Sequence, residues 1–345
     1  MRSDFLVDFP GLGINDLPVN REAFSVFGQS IYWYGLLIAT AIILCLLLSA
    51  KSANKFGLVS DDILDIFIFL IPMIIVFARV FYVIFEWEYY AADLSRIFNT
   101  RNGGLAFYGG VIGGIITIML VAKFKKLKIS KLIDHLVVYL PLGQAIGRWG
   151  NFFNQEAFGT NTTMPWGMYS NETARYLTSL GAGYDPTMPV HPTFLYEFIG
   201  NMVIFAILLI LRRKRRAPFV LAFSYFGMYG LLRFFVEAIR TDALFIPGTD
   251  LRISMVLSAL MVISAIIYIP AAGRRYEKLA LNSEFIDSDE QVNSVSEELP
   301  DAKASEETTS AETAEQTDTS DEMETVSDAN DFIEIEDYQN QEKNN

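Results

Sequence analysis

Two short segments of the sequence combine arginine with carboxylates and amides next to apolar runs. The first, GRWGNFFNQEAFG at residues 147–159, contains Arg148, Asn151, Asn154 and Glu156. A guanidinium group binds phosphate or carboxylate oxygens through paired N–H donors. An anion-binding site is one interpretation of this segment. The other is a helix end at a membrane interface, where amide side chains cap backbone groups.

The second segment, YGLLRFFVEAIR at residues 229–240, places four polar side chains on one helix face. Tyr229, Arg233, Glu237 and Arg240 are spaced by four, four and three residues, as the neighbours on one face of an α-helix are. Two arginines around a glutamate suit an anion. A structural Arg-Glu-Arg clamp between helices has the same spacing, so this segment alone does not separate the two interpretations.

Tyr108 and His191 are two further candidates for functional residues. Tyr108 lies within GGLAFYGGVIGG, residues 103–114, whose GxxxG spacing is typical of close helix packing in lipid. The alternative to helix packing is that the glycines make room for an acyl chain or a substrate peptide. Tyr108 itself is either a functional residue or an aromatic residue at the membrane interface. His191 begins HPTFLYE and is either a catalytic group or a residue that starts a helix.

Several other residues are expected to be structural. Asp65 and Arg79 interrupt a long apolar run, and His135 follows an aspartate near the inner end of another. The single cysteine, Cys45, is expected to be a small buried side chain and allows no intramolecular disulfide. The two histidines are too far apart to form a metal motif, and the sequence has no GxxxxGK[ST] loop.

The elements that position these residues are membrane helices. Of 345 residues, 52% are hydrophobic, a composition unlike that of a typical soluble domain. About 20 helical residues cross a hydrocarbon core of roughly 30 Å. We therefore expect an all-α polytopic membrane protein with seven transmembrane helices and no cleavable signal peptide. The expected spans are 31–50, 63–85, 103–122, 132–147, 192–211, 217–236 and 253–273.

Basic residues in the connections predict the orientation. KSANKFG, AKFKKLKISK, LRRKRRAP and GRRYEK contain 2, 5, 5 and 3 Lys or Arg, and alternate with connections poorer in them. Positive charge stays on the cytoplasmic side. The N-terminus is therefore expected outside and the C-terminus in the cytoplasm, with residues 160–190 forming a small extracytoplasmic head or lid.

An acidic tail follows the membrane domain. The whole chain has a net charge of −13, but residues 276–345 carry 22 Asp or Glu and 3 Lys, a net of −19 that leaves +6 for residues 1–275. A segment so charged and so poor in large apolar side chains is expected to be disordered. A solvated appendage and a docking or regulatory segment both remain open for it.

The first segment closely resembles the signature of the prolipoprotein diacylglyceryl transferase family. IYWYGLL, GGLAFYGG, HPTFLYE and YGLLRFFVEAIR match that family in the same order, across most of residues 1–275. The resemblance implies a seven-span protein of the bacterial cytoplasmic membrane with its N-terminus outside. It implies transfer of the diacylglyceryl group of phosphatidylglycerol to the lipobox cysteine thiol of a preprolipoprotein signal peptide. A thioether forms and glycerol phosphate leaves, in the first step of bacterial lipoprotein maturation, with no cofactor, metal or nucleic-acid partner.

The resemblance also carries over site residues. The residues expected to bind phosphatidylglycerol are Arg148, Asn151, Asn154, Glu156, Gly159, Tyr34, Glu237 and Arg240. The residues expected at the catalytic centre are Arg148, Arg233, Tyr108 and His191. We expect Arg148 and Arg233 to hold the phosphate, Glu237 to fix the arginines, and Arg240 to guide lipid or peptide at the outer mouth. Some relatives have histidine at the position of Tyr108; because tyrosine has a reference pKa of about 10 and is a poor base at neutral pH, the base stays open.

Two other classes of function fit part of the sequence. Intramembrane arginine and glutamate side chains could line an anion path in a transporter or channel, but the sequence shows no inverted repeat or paired broken helices. A noncatalytic scaffold would recruit partners through the acidic tail. Deletion of residues 276–345 separates the scaffold, which should fail, from the transferase, which should keep its activity.

Overall fold

The structure is a computed structural model that describes residues 5–99, 103–181, 183–214 and 217–297, with side chains as far as residue 278. Helices make up most of it. The helices are α1 (Trp33–Ala53), α2 (Ser60–Phe85), α3 (Trp87–Ala91), α4 (Phe107–Phe124), α5 (Ile129–Val137), α6 (Leu140–Asn154), α7 (Asn171–Leu180), α8 (Thr193–Leu211), α9 (Val220–Ile239) and α10 (Ile253–Glu297). The strands are β1 (Leu6–Phe9), β2 (Ile14–Pro18), β3 (Glu22–Val26), β4 (Gln29–Tyr32) and β5 (Tyr169–Ser170).

Within the described residues, six helices are long and apolar enough to cross a membrane. They are Trp33–Phe56, Ser60–Phe85, Phe107–Phe124, Thr193–Leu211, Val220–Ile239 and Ile253–Lys278. Large apolar side chains remain exposed on them, such as Ile43 and Leu47 on α1, as expected where lipid replaces water around the helix. The predicted multi-pass, mostly helical membrane class is confirmed.

The fourth expected span, residues 132–147, is not one helix. The chain forms α5, turns at Val138 and Tyr139, and starts again as α6. Pro141, near the start of α6, has no N–H to donate to the carbonyl of Val137, and its ring would clash with that carbonyl in a continuous helix. Pro141 is therefore the physical reason why the prediction of a single helix here is wrong.

The strands correct the all-α prediction near the N-terminus and in the expected head. Strand β1 pairs antiparallel with β2 and with β5, where Val7 lies opposite Ser170. Residues from both regions share one hydrophobic core. Its buried members are Val7, Val19, Phe152, Phe158, Met168, Leu177, Val190 and Phe194. The region expected to be a head thus folds together with the N-terminal strands.

Asp65 and Arg79 of the second span, and His135 of α5, contact other parts of the protein. Arg79 is buried, and its five N–H groups reach five backbone carbonyls. The acceptors are Arg96 (2.7 Å), Ile97 (2.8 Å), Asn99 (2.8 Å), Gly103 (3.2 Å) and Gly104 (2.8 Å). Asp65 pairs with Lys125 at 2.6 Å, and the ring of His135 lies 3.0 Å from the carbonyl oxygen of Ser49. The predicted structural roles of Asp65, Arg79 and His135 are confirmed.

The glycines of α4 pack against α2. A Cβ atom on Gly113 would lie 2.5 Å from the Cβ of Phe77, and Gly109 would meet Phe81 in the same way. Close helix packing, the first interpretation of the GxxxG spacing, is therefore confirmed for these two glycines.

The last helix extends beyond the predicted start of the disordered tail. Residues 276–297 belong to α10, so the disorder prediction differs from the structure there, and residues 298–345 lie outside the described residues. A helix that is already formed adds residues without a new nucleus, which accounts for its continuation into the polar sequence.

Candidate active site

A buried carboxylate joins the two central arginines. Glu197, on α8, is 1% exposed. Its Oε1 accepts a hydrogen bond from Nη1 of Arg233 at 2.8 Å, and its Oε2 forms an ion pair with Nε of Arg148. Arg148 comes from α6 and Arg233 from α9, so one side chain draws three helices together. A buried charge needs such pairing, since desolvation alone would cost several kcal/mol.

A second carboxylate completes the cluster. Oε2 of Glu237 lies 2.6 Å from Nη2 of Arg233, one helical turn away on α9. The predicted contact of Glu237 with an arginine is confirmed for Arg233, whereas Arg148 pairs with Glu197. Arg148, Arg233, Glu197 and Glu237 therefore form a charge-balanced group, which we call the ionic cluster.

The guanidinium groups are the accessible part of the ionic cluster. The side chains of Arg148 and Arg233 are 20% and 16% exposed, against 2% for each carboxylate. Besides the ion pair, the protein contact found for Arg148 among the described residues is a long one, from Nη1 to Oδ1 of Asn151 at 3.4 Å. The Nη2 group of Arg148 therefore has N–H donors to offer an anion.

The end of α6 brings the remaining signature residues together. The side-chain amides of Asn151 and Asn154 both donate to Oε1 of Glu156, at 3.0 and 3.1 Å. The chain can turn back because Gln155 and Ala157 adopt left-handed backbone conformations, with φ of 53° and 58°. The two amides and the carboxylate thus lie on one turn, linked to Arg148 through Asn151.

Tyr34 and Gly159 pack tightly near this turn. A Cβ atom on Gly150 would lie 2.5 Å from the ring of Tyr34, so glycine admits the tyrosine against α6. Gly159 donates its N–H to the carbonyl of His191 at 2.9 Å, and a Cβ there would be 2.8 Å from His191 and 3.0 Å from the carbonyl of Ile239. Gly159, which follows α6, therefore lies where the backbone before α8 and the backbone at the end of α9 approach it closely.

Arg240 lies outside the ionic cluster. It sits at the end of α9 and binds Asp242 through two hydrogen bonds of 2.8 and 2.5 Å. Burial alone would raise the pKa of Asp242, but the hydrogen bonds and charge of Arg240 outweigh it and hold that pKa below its ordinary value. The sequence did not predict Asp242 as the partner of Arg240.

His191 belongs to a hydrogen-bonded chain of three side chains. The indole N–H of Trp166 donates to the hydroxyl of Tyr196 at 2.7 Å, and that hydroxyl lies 3.0 Å from Nδ1 of His191. The tyrosine hydroxyl can donate to Nδ1 or accept from it, depending on which ring nitrogen carries the proton of the neutral histidine. Burial lowers the pKa of His191, which favours this neutral form.

Tyr108 lies apart from these contacts. It is 42% exposed at the start of α4, and its ring packs edge-on against Phe107. Among the described residues, no contact joins Tyr108 to Arg148 or Arg233. The structure therefore groups Arg148, Arg233 and Glu237, and leaves Tyr108 separate.

Sequence reasoning missed Glu197 as a central residue. It is the last residue of HPTFLYE and lies in an apolar run, where an ionisable residue marks a functional position. That rule, applied to α8 as it was to α9, would have found it.

The sequence is similar to the members of one enzyme family. A family model described as prolipoprotein diacylglyceryl transferase matches residues 21–270. Three relatives, each named phosphatidylglycerol–prolipoprotein diacylglyceryl transferase, come from Finegoldia magna, Clostridioides difficile and Bacillus cereus. They are 42%, 41% and 42% identical, over 72%, 72% and 73% of this chain and 94%, 94% and 91% of their own lengths.

Proposed function

The chain belongs to the prolipoprotein diacylglyceryl transferase family, and on that premise we propose that it transfers the diacylglyceryl group of phosphatidylglycerol to a prolipoprotein. The thiol of the lipobox cysteine attacks the glyceryl carbon that carries the phosphate oxygen. A C–S bond forms, the C–O bond breaks, and glycerol phosphate leaves with the bonding electron pair. The observation that carries this proposal is the convergence of Arg148 and Arg233 on buried Glu197.

Arg148 and Arg233 bind the phosphate in this mechanism. The phosphodiester carries one negative charge, and the departing phosphate monoester develops a second. Planar guanidinium groups suit two oxygens of such a group at once. They stabilise the transition state more than the substrate, because negative charge accumulates as the C–O bond breaks. The carboxylates of Glu197 and Glu237 orient the arginines and neutralise them until the lipid arrives.

The turn after α6 orients the headgroup. Asn151, Asn154 and Glu156 offer donors and acceptors for glycerol hydroxyls, while Tyr34 and Gly159 shape the turn by packing. Arg240, with Asp242, guides lipid or peptide at the outer mouth.

The attacking thiol has an ordinary pKa of about 8.5, so the field of the arginines and a weak base suffice to raise its thiolate fraction. His191, neutral and with Nδ1 engaged, and Tyr108 are the two candidates for that base.

The lipid reaches the site sideways from the bilayer. A groove of about 470 Å³ between α8 and α9 has an almost wholly apolar lining that includes Val203, Leu231 and Phe235. Val236, also in its lining, directly precedes Glu237 of the ionic cluster on α9. The volume of the groove falls in the usual range for ligand sites, and its apolar walls suit an acyl chain.

The proposed topology has seven crossings in a bacterial cell membrane. Helices α5 and α6 together make the fourth, with the break at Pro141 inside it. The basic connections face the cytoplasm, and the N-terminus and the head face outward. In this arrangement the signature turn lies near the outer surface, where a lipid headgroup is found.

The test is direct transfer by purified protein. Phosphatidylglycerol vesicles and a lipobox peptide are incubated with the protein, and mass spectrometry follows addition of a diacylglyceryl group to the peptide. A peptide with serine in place of cysteine is the substrate control. Arg148→Ala and Arg233→Ala are expected to lower the rate at least about 100-fold, as loss of a transition-state donor does.

The matched control is Arg213→Ala, because Arg213 is exposed just beyond α8. It should keep the wild-type rate. Wild-type rates in Arg148→Ala or Arg233→Ala would remove the phosphate-binding assignment, and absence of any adduct with the wild-type protein would remove the proposed reaction.

A further inference from the structure

A small β-hairpin precedes the first membrane helix, and three of its apolar side chains, Phe24, Val26 and Phe27, are exposed. Strands β3 and β4 pair antiparallel, with Phe24 opposite Ile31 and Ser25 opposite Ser30. Side chains two residues apart in a strand share a face. One face therefore carries Phe24, Ile31 and Val26, with the uncharged Gln29 opposite Val26, and the other carries the two serines.

The tip of the hairpin is an exposed aromatic residue in an unfavourable backbone conformation. Phe27 is fully exposed, and Phe24 and Val26 are 50% and 42% exposed. Phe27 and Gly28 have φ of 50° and 75°, as a two-residue type I′ turn requires. Asn-Gly is the preferred pair for this turn, so phenylalanine is a poor choice for the turn itself. Phenylalanine at position 27 is therefore explained by a requirement other than formation of the turn.

The position of the hairpin indicates what that requirement is. Strand β4 ends at Tyr32, and α1, with its candidate span Trp33–Phe56, begins at the next residue. The five residues from Gly28 to Tyr32 extend at most about 17 Å, so the tip stays close to the surface at which α1 enters the membrane. Residues 23–32 contain no Asp, Glu, Lys or Arg. A two-stranded hairpin alone is marginally stable in water.

We propose that this hairpin is a membrane anchor, with Phe24, Val26 and Phe27 inserted at the headgroup and acyl boundary of the leaflet that α1 enters. The serine face points to water. Apolar side chains next to a membrane span gain free energy by leaving water, and an uncharged face pays no desolvation penalty for ions. The inference concerns contact with lipid and does not depend on the proposed reaction.

Spin labelling of the full-length protein tests the anchor. Cys45 is the only cysteine, and Cys45→Ser keeps a donor for the carbonyl of Tyr139, so single cysteines can be placed freely. Nitroxides at Phe24 and Phe27 are compared with nitroxides at Ser25 and Ser30, in nanodiscs of phosphatidylcholine and phosphatidylglycerol. The measurement is collision with oxygen, which concentrates in lipid, against collision with a water-soluble nickel chelate.

We expect oxygen to dominate at positions 24 and 27, as at the lipid-exposed control Leu47, and nickel to dominate at 25 and 30, as at the exposed head residue Ser179. Nickel dominance at Phe27 would overturn the proposal. Dipolar broadening between labels, or protection that appears only with a lipobox peptide, would overturn it in favour of a second copy or a bound peptide.

The Phe27→Asn variant tests the tip without harming the turn. Asparagine favours the type I′ conformation, so the hairpin should persist while its lipid contact weakens. With the label at Phe24, the equilibrium for insertion should fall roughly tenfold, the scale set by burial of one aromatic side chain. An unchanged oxygen-to-nickel ratio at that label would show that Phe27 is not an anchor.

Discussion

At the scale of single residues, Glu197 controls how much positive charge the arginines offer to a ligand. It is 1% exposed and pairs with Arg148 and Arg233 at once. With Glu237 the ionic cluster is neutral, so an arriving phosphate must exchange hydrogen bonds with carboxylates rather than fill an empty positive site. The carboxylates therefore lower the affinity of the arginines for phosphate and hold the guanidinium groups in a fixed orientation.

Replacing Glu197 should separate these two effects. Glu197→Gln keeps a side-chain oxygen as acceptor but removes the negative charge. The arginines then carry excess positive charge, so the KM for phosphatidylglycerol should fall several-fold. The kcat should fall at least about tenfold, because the arginines lose their fixed geometry. Steady-state kinetics checks both, with Glu172→Gln on α7, a partly exposed glutamate outside the ionic cluster, as the control; unchanged KM and kcat would contradict the role given to Glu197.

The chain from Trp166 through Tyr196 to His191 makes a prediction for acidic pH. Burial lowers the pKa of His191 below its ordinary value of about 6.5. The unfolded chain therefore takes up a proton at a higher pH than the folded protein does. Stability should be constant above about pH 6.5 and should fall as the pH drops from there toward the lowered pKa.

The Tm of the protein in nanodiscs, measured across that range, checks this pH dependence. His191→Asn keeps an acceptor oxygen for Tyr196 but does not titrate, so its Tm should depend less on pH. An identical slope for both proteins would show that other groups cause the dependence.

Residue types were easier to predict than their partners. Arg148, Arg233 and Glu237 follow from the cost of charge in a membrane, because an ionisable side chain in an apolar run is visible in the sequence. The same rule points to Glu197 but not to its partners, and Asp242 lies beyond the end of α9, outside the apolar runs. Helical spacing predicts neighbours within one helix, whereas Glu197 meets Arg148 from a different helix.

At the scale of elements, Arg79 fixes the segment that leads into α4. Its five N–H groups bind carbonyls between residues 96 and 104, and the start of α4 carries Tyr108. Gly103 and Gly104 both have positive φ, of 89° and 79°. A Cβ atom on Gly104 would collide with Nη1 of Arg79, whereas a Cβ on Gly103 would meet nothing within 4 Å.

These two glycines form a matched pair for a stability test. Alanine at either position incurs a similar backbone strain, of order 1 kcal/mol. Gly104→Ala must also displace the guanidinium of Arg79 and leave buried donors without acceptors, which costs about 1 to 3 kcal/mol more. The Tm of Gly104→Ala should therefore lie clearly below that of Gly103→Ala. Equal Tm values would show that Arg79 does not hold this segment.

The sequence predicted the long elements whose backbone hydrogen bonds form within one segment of the chain. Six apolar helices appear where apolar runs were read, since about 20 apolar residues can satisfy their backbone only as a helix in lipid. Strands β1 and β5 were missed because they have four and two residues, too few for a clear alternation. Their pairing also joins Val7 to Ser170, a contact that no local pattern encodes.

At the scale of the whole molecule, charge is divided between two very different parts. Residues 1–275 carry a net charge of +6 and residues 276–345 a net charge of −19. The family match ends at residue 270. The basic connections predict which side of the membrane each part occupies, and that orientation stays a prediction.

Deletion of residues 279–345 tests whether catalysis needs the acidic part. The truncated protein keeps the whole candidate span Ile253–Lys278 and every residue of the ionic cluster. Because the proposed chemistry uses only those residues and the signature turn, the rate of diacylglyceryl transfer to a lipobox peptide should stay within about twofold of wild type, the range usual for changes remote from a site. A full-length protein with Arg148→Ala serves as the inactive reference. Loss of transfer by a truncated protein that still inserts and keeps its Tm would place a function essential for catalysis in the tail.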